Sequence, residues 1–218
     1  MTKVSFNIFI QARMSSSRFP GKMLVPVNNV PLIQCVVERV QQARHVDNVV
    51  VLTSVETSDD DLAIYAAEKG YKTVRGDLDN VFKRFQKALE EYPCDYFVRV
   101  CGDSPIIDPN LISAMIEKVI ETKCDFLSNV QHKKFPKGQS VEIICSDLFA
   151  SIDSKTLTAD QQEHVMPYFY EHADQYRTCF PDSKVNNRHI NTCIDTPEDL
   201  FNIESGQVHY QFEEGALC

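Results

Sequence analysis

Arg13, Arg18 and Lys22 fall within one short stretch, Gln11-Ala-Arg-Met-Ser-Ser-Ser-Arg-Phe-Pro-Gly-Lys22, and the first 37 residues hold no Asp or Glu at all. The whole chain carries 22 Lys+Arg against 31 Asp+Glu, a net charge of −9. Cationic side chains gathered where acids are absent suit a compact polyanion. Arg13 can fork two hydrogen bonds onto phosphate oxygens, and Lys22 adds a mobile point charge. Gly21 admits a close backbone approach, while Ser15, Ser16 and Ser17 offer hydroxyl and amide donors. The stretch follows the apolar run Val4-Ser-Phe-Asn-Ile-Phe-Ile10. A strand that empties into such a loop before a helix is the form of a phosphate cradle in an α/β protein. It is not a Walker A loop, because the Lys-Ser/Thr pair is missing.

Two acids complete a possible reaction centre. In Asp95-Tyr-Phe-Val-Arg-Val-Cys-Gly-Asp103-Ser-Pro an apolar strand runs into Asp103, and in Asn191-Thr-Cys-Ile-Asp195-Thr-Pro a second strand runs into Asp195. Each Asp alone reads as a turn former or helix cap. Together, two strand-end carboxylates and a cationic loop are the parts needed to hold Mg²⁺ for transfer at phosphorus. Asp59-Asp60-Asp61 imitates the metal-binding DxD of a glycosyltransferase, but it precedes a helix and reads as capping. His132 and His164 are candidate general bases or sugar contacts, with a structural hydrogen-bonding role equally open.

The elements that must position these residues follow from hydrophobic periodicity. Strands are expected at 4–10, 48–53, 95–101, 125–130, 139–145, 176–180 and 188–193. Helices are expected at 31–44, 59–69, 79–92, 109–121, 158–173 and 196–204. Asn48-Val-Val-Val-Leu-Thr53 is a continuous apolar run of the kind found in buried parallel strands. Alternating strands and helices predict an α/β fold of three layers, with a mostly parallel sheet covered on both faces. Ligands in such sheets collect at the carboxyl ends of the strands, where the loops at 11–22, 53–58 and 101–108 should emerge together.

Composition bounds the remaining possibilities. The 218 residues, 43% hydrophobic, suffice for one full core, so 1–218 reads as a single domain. The apolar stretches are strand-sized, and no basic region followed by an apolar segment opens the chain, which argues for the cytoplasm and against a membrane. The acidic balance argues against a nucleic-acid partner. The eight cysteines form no CxxC pair and read as small buried hydrophobes.

Taken in order, several segments resemble the cytidylyltransferase family that makes CMP-linked acid sugars, and within it the spore-coat polysaccharide branch. They are the 11–22 loop, Arg75-Gly-Asp77, Arg99-Val-Cys-Gly-Asp-Ser-Pro105, Ser128-Asn129, Glu163-His-Val-Met-Pro-Tyr168 and Asp195-Thr-Pro-Glu-Asp199. The resemblance runs from Phe6 to about Ile203. It implies a nucleotide-diphospho-sugar transferase (Rossmann-like) fold and a homodimer. Arg13, Arg18 and Lys22 would contact the triphosphate of CTP, and Asp103 and Asp195 would hold Mg²⁺. Ala12, Thr53, Ser54 and Arg75 would lie near the cytidine. Asn129, Ser140, Glu142 and His164 would serve the sugar, with 128–145 as a sugar-site or dimerisation segment. The branch often has an Asp where this chain has Ser140, which bears on the acceptor and leaves the phosphate chemistry untouched. Two other readings stay open on residues alone: a glycosyltransferase consuming a nucleotide sugar, and a non-catalytic nucleotide-binding module.

Overall fold

The structure, a computed structural model, describes residues 3–213, 215 and 217. Seven strands form one sheet. They are β1 (Phe6–Gln11), β4 (Asn48–Ser54), β5 (Lys72–Gly76), β6 (Tyr96–Cys101), β7 (Phe126–Ser128), β8 (Glu142–Cys145) and β9 (Thr178–Cys179), in the spatial order β5-β4-β1-β6-β8-β7-β9. The four strands β5, β4, β1 and β6 run parallel; β8 is antiparallel to both of its neighbours, and β7 pairs with β9 in parallel. A small hairpin of β2 (Pro26–Val27) and β3 (Val30–Pro31) follows the cationic loop.

Alternation along β1 explains the layering. Phe6, Ile8 and Ile10 point into a core with α1 (Leu32–Val40), α2 (Asp60–Glu68) and α4 (Pro109–Thr122), on which α8 (Pro197–Glu204) also packs. Phe9 points the other way, into a core shared with α3 (Val81–Glu91), α5 (Ser146–Ser151) and α7 (Pro167–Glu171), to which Val165 adds just past α6 (Ala159–His164). That second core is aromatic. Phe82 and Phe149 stack with centroids 4.1 Å apart, and Phe97 meets Phe149 edge-on at 4.9 Å. Burying each ring stabilises the fold by roughly 1.5–3 kcal/mol. The three-layer, mostly parallel architecture expected from the sequence is therefore present.

Three expectations about elements need correction. The segment 188–193 is not a strand: it makes one bridge, Lys137 to Asn191, because its backbone bonds go to the loop around Lys137. The helix expected at 158–173 is two short helices. Pro167 has no N–H to carry the helical ladder on and opens the second helix as its first residue, and Val165 takes φ 69°, so the chain breaks at Val165 and Met166. The edge strand β5, Lys72-Thr-Val-Arg-Gly76, is too polar to announce itself by periodicity, since only Val74 is buried. The seven cysteines among the described residues are free; Cys218 lies outside them.

Candidate active site

All of the parallel strands deliver their carboxyl ends to one edge, and the cationic loop leaves β1 there. Asp59 fixes it. Its carboxylate, wholly buried, accepts from Met14 N at 2.7 Å, Ser54 N at 2.9 Å and Thr53 Oγ1 at 3.0 Å. Burial works against its charge, but the hydrogen bonds from Ser54, Met14 and Thr53 outweigh it and hold the carboxyl below its usual range. The capping role expected for 59–61 is thus corrected for Asp59, while Asp60 and Asp61 lie in the first turn of α2, where acids favour the helix dipole. No side chain caps α2, and Asp59 instead ties the start of the loop to the end of β4. Farther along, Gly21 takes φ 75°, which a residue with a Cβ adopts only under strain, and the turn it allows aims Lys22 inward.

Lys22 is 5% exposed, and its ammonium meets Asp103 Oδ2 at 3.1 Å, Asp195 Oδ1 at 3.0 Å and the Ile194 carbonyl at 2.8 Å. The two acids singled out in the sequence, 92 residues apart, therefore converge on one point. Asp195 is free for this because Thr196 caps α8, in a reciprocal box with Asp199. The other oxygen of Asp195 pairs with Lys137 at 2.7 Å and Arg18 at 3.0 Å. Lys137 reaches it because Gly138, at φ 92°, lets its loop close on 191–193; a Cβ there would stand 2.5 Å from Thr192 Oγ1. Lys22, Arg18 and Lys137 thus face two carboxylates, leaving one positive charge in excess.

Burial opposes the Asp195 charge, but hydrogen bonds from Lys137 and Lys22 prevail and hold its carboxyl down at about 2, from an ordinary 3.8. A depressed carboxylate stabilises the fold above its unfolded value and loses that contribution as pH falls through the folded one. The stabilisation, on the order of 2 kcal/mol, is therefore expected in full above about pH 4 and to vanish toward pH 2. Urea melts across that window should show a steeper acid loss in the wild type than in Asp195→Asn, and parallel curves would contradict the assignment.

A cleft of about 240 Å³ opens over this cluster, lined by Gln11, Ala12, Arg13, Ser16, Ser17, Arg18, Lys22, Met23, Cys101, Gly102, Asp103 and Asp195. Most of the expected nucleotide residues meet here. Ser15 is exposed and is not among the residues lining it. Thr53 and Ser54 are fully buried in the service of Asp59, while Arg75 is spent on the Ser54 and Glu56 carbonyls and on Asp60. Arg13 pairs with Glu163 of α6 at 3.3 Å.

A second cavity, of about 250 Å³, adjoins Lys137 and is lined by Asn129, Val130, Lys133, Phe135, Pro136, Lys137, Ser140 and Arg188. Three cations and no acid line it. Asn129 braces its wall, donating to the Gln139 carbonyl and accepting from Val141 N. Glu142 is buried behind it on Arg99 and Tyr170. His164 is exposed at the end of α6, 3.6 Å from Asp160, and lines neither cavity; His132 meets the Phe180 carbonyl at 3.1 Å. Sequence reasoning missed Lys137, Glu163 and Asp59 as site residues. Lys137 left a signal in the basic cluster Lys133-Lys-Phe-Pro-Lys137, and Glu163 opens one of the segments that carry the family resemblance.

A cation held between two carboxylates, Asp103 past the end of β6 and Asp195 before α8, under a cationic loop has relatives. Residues 8–215 match the profile of the family described as Cytidylyltransferase. The spore coat polysaccharide biosynthesis protein SpsF of Bacillus subtilis is 32% identical over 203 residues, covering 90% of this chain and 83% of that protein. A cytidylyltransferase structure from Leptospira borgpetersenii superposes with a TM-score of 0.88 at 28% identity, over 98% of this chain and 90% of that one. The CMP:2-keto-3-deoxy-manno-octonic acid synthetase complexed with CTP shares the fold, with a TM-score of 0.68 at 18% identity over 93% and 98% of the two chains. Sequence and fold agree over nearly the full length, and the chain belongs to the cytidylyltransferase family.

Proposed function

We propose that this chain transfers CMP from CTP to a hydroxyl of an acidic sugar for surface-polysaccharide synthesis, with Mg²⁺ held on Asp103 and Asp195. The observation that carries the reading is the ammonium of Lys22, held about 3 Å from both carboxylates. Their hard oxygen donors converge on one cation, and Mg²⁺ needs only one or two carboxylates because phosphates and water complete its shell. The residues therefore fit the ion, which when bound would neutralise charge on the α-phosphate. No cluster of three or more acidic, His or Cys ligands exists among the described residues, so a metal here would be shared with the nucleotide.

In the reaction the sugar hydroxyl forms a bond to the α-phosphorus, the bond to the β-phosphate oxygen breaks, and pyrophosphate leaves with that electron pair. Arg13, Arg18 and Lys22 supply fixed positive charge where the leaving group gathers negative charge, which stabilises the transition state more than the ground state. Lys137 stands between Asp195 and the second cavity and can orient the acceptor. That cavity favours an anionic acceptor, because Lys133, Lys137 and Arg188 line it and Ser140 adds no charge. Homodimer formation through 128–145 and a cytoplasmic location belong to the same reading.

Base choice is the direct test. A ligand at a hundred times its Kd stabilises by about 2.7 kcal/mol, so CTP with Mg²⁺ should raise Tm by roughly 5–10 °C, and ATP or GTP by much less. Equal shifts for all nucleotides would remove the cytidine claim. Pyrophosphate release with a panel of acid sugars, set against their neutral counterparts, tests the acceptor. Release of nucleoside diphosphate from a nucleotide sugar would favour glycosyl transfer instead.

A further inference from the structure

A row of polar side chains crosses four adjacent strands on the sheet face that packs on α3 and α7. Arg99 on β6 forks onto Gln11 of β1, with Nε at 3.3 Å and Nη2 at 3.1 Å from the same oxygen, Oε1. Its third nitrogen, Nη1, meets Glu142 of β8 at 2.6 Å. The other Glu142 oxygen accepts from Tyr170 of α7 at 2.6 Å, and the Tyr170 hydroxyl also meets Ser128 of β7 at 2.5 Å. The strand register accounts for the row: Arg99 pairs with Glu142, and Glu142 with Ser128. The row beneath is apolar, with Phe97 opposite Ile144 and Ile144 opposite Phe126. Burial and then the Glu142 carboxylate push the Tyr170 phenol up, so its hydroxyl remains a donor.

The open end of this row is the amide of Gln11. An amide offers one oxygen and one NH₂ group, and Arg99 engages the oxygen from behind. The orientation is therefore fixed: Oε1 faces the protein, and Nε2, which has no hydrogen-bond partner among the described residues, faces the cleft that Gln11 lines. A guanidinium bound to an amide oxygen polarises the amide and strengthens its N–H donors, which favours an anionic acceptor over a neutral hydroxyl. Gly102 N donates to the Gln11 backbone carbonyl at 2.9 Å, which ties the end of β1 to the turn that carries Asp103, and Gly102 and Asp103 line the same cleft as Gln11. Arg13 and Arg18 belong to the loop beyond it.

We propose that Gln11 Nε2 donates to an oxygen on the α-phosphorus of the nucleotide, and that Arg99 acts through Gln11 as a positioning residue held in place by Glu142 and Tyr170. The proposal rests on the cytidylyl-transfer reading. Its test is calorimetric titration of the full chain with CTP, CMP and cytidine in the presence of Mg²⁺. Charge-assisted hydrogen bonds of this kind change affinity by about ten-fold or more. Gln11→Met, which keeps the length and removes the donor, should weaken CTP and CMP about ten-fold and leave cytidine unchanged. Gln11→Glu keeps a partner for Arg99 and hence the fold, and should weaken both phosphates further, with cytidine again unmoved. Arg99→Lys should weaken CMP in the wild-type background and add nothing in the Gln11→Met background. Wild-type affinity for CMP in either Gln11 variant would overturn the proposal, as would a loss shared equally by cytidine. Failure of the wild type to bind CTP at all would instead overturn the transfer reading.

Discussion

Lys22→Ala is expected to lower kcat/KM for CTP by about a hundred-fold, leave the KM of the acceptor almost unchanged, and destabilise the protein. A lysine in a solvated loop would cost at most about 1 kcal/mol on removal. This one is 5% exposed and fills its donors with two carboxylates and a carbonyl. Deleting it leaves Asp103 without its ion-pair partner and Asp195 dependent on Arg18 and Lys137. Breaking a buried ion pair costs roughly 3–5 kcal/mol; the remaining partners of Asp195 favour the lower end, a fall in Tm of roughly 6–12 °C. Steady-state kinetics with each substrate varied in turn, beside a thermal melt, measure both effects. An unchanged response to CTP would remove the phosphate cradle at 11–22.

Asp103→Asn and Asp195→Asn should each reduce turnover by about 10²–10³-fold, the scale of losing one preorganised electrostatic contact in a transition state. Their effects on stability should differ. Asp103 has one cationic partner and a side chain 23% exposed, so its amide variant should melt close to the wild type. Asp195 has three cationic partners and a side chain 10% exposed, so its amide variant should lose stability as well as rate. Asp103→Asn is therefore the cleaner probe of the metal assignment. Near-normal turnover of that variant at limiting Mg²⁺ would reduce Asp103 to a counter-ion for Lys22.

The contrast between these aspartates shows what the sequence could reveal. Residues that follow a periodic strand are legible, because periodicity locates the strand and a parallel sheet dictates which end gathers ligands. Arg13, Arg18, Lys22 and Asp103 were found that way, whereas Asp195 was found from a strand expected at 188–193 that does not form, and the cap of Thr196 with Asp199 came with it. Pairings across the fold leave no such trace. Glu163 reaches Arg13 across 150 positions, and Lys137 reaches Asp195 across 58. Neither spacing carries a period. Asp59 was misread for a related reason. Three consecutive acids before a helix fit a dipole argument, and nothing local shows that the first turns back onto Met14 and Ser54. The break at Val165 could have been inferred from Pro167, but the handing of Glu163 to Arg13 and of Tyr170 to the polar row could not.

The reversed strand β8 sets a rule for grafting. The parallel half of the sheet bears the phosphate loop and Asp103, whereas the walls of the lysine-lined cavity come largely from the chain between β7 and β8. An engineer seeking a new acceptor would exchange that second half and keep the first. The seam between the halves is the β6–β8 border, and the Arg99–Glu142 pair spans it at 2.6 Å. An exchanged segment must therefore return a carboxylate opposite Arg99, or the guanidinium loses its anchor and Gln11 its fixed orientation. Acceptor preference can be transplanted in this scaffold only together with the wiring behind it.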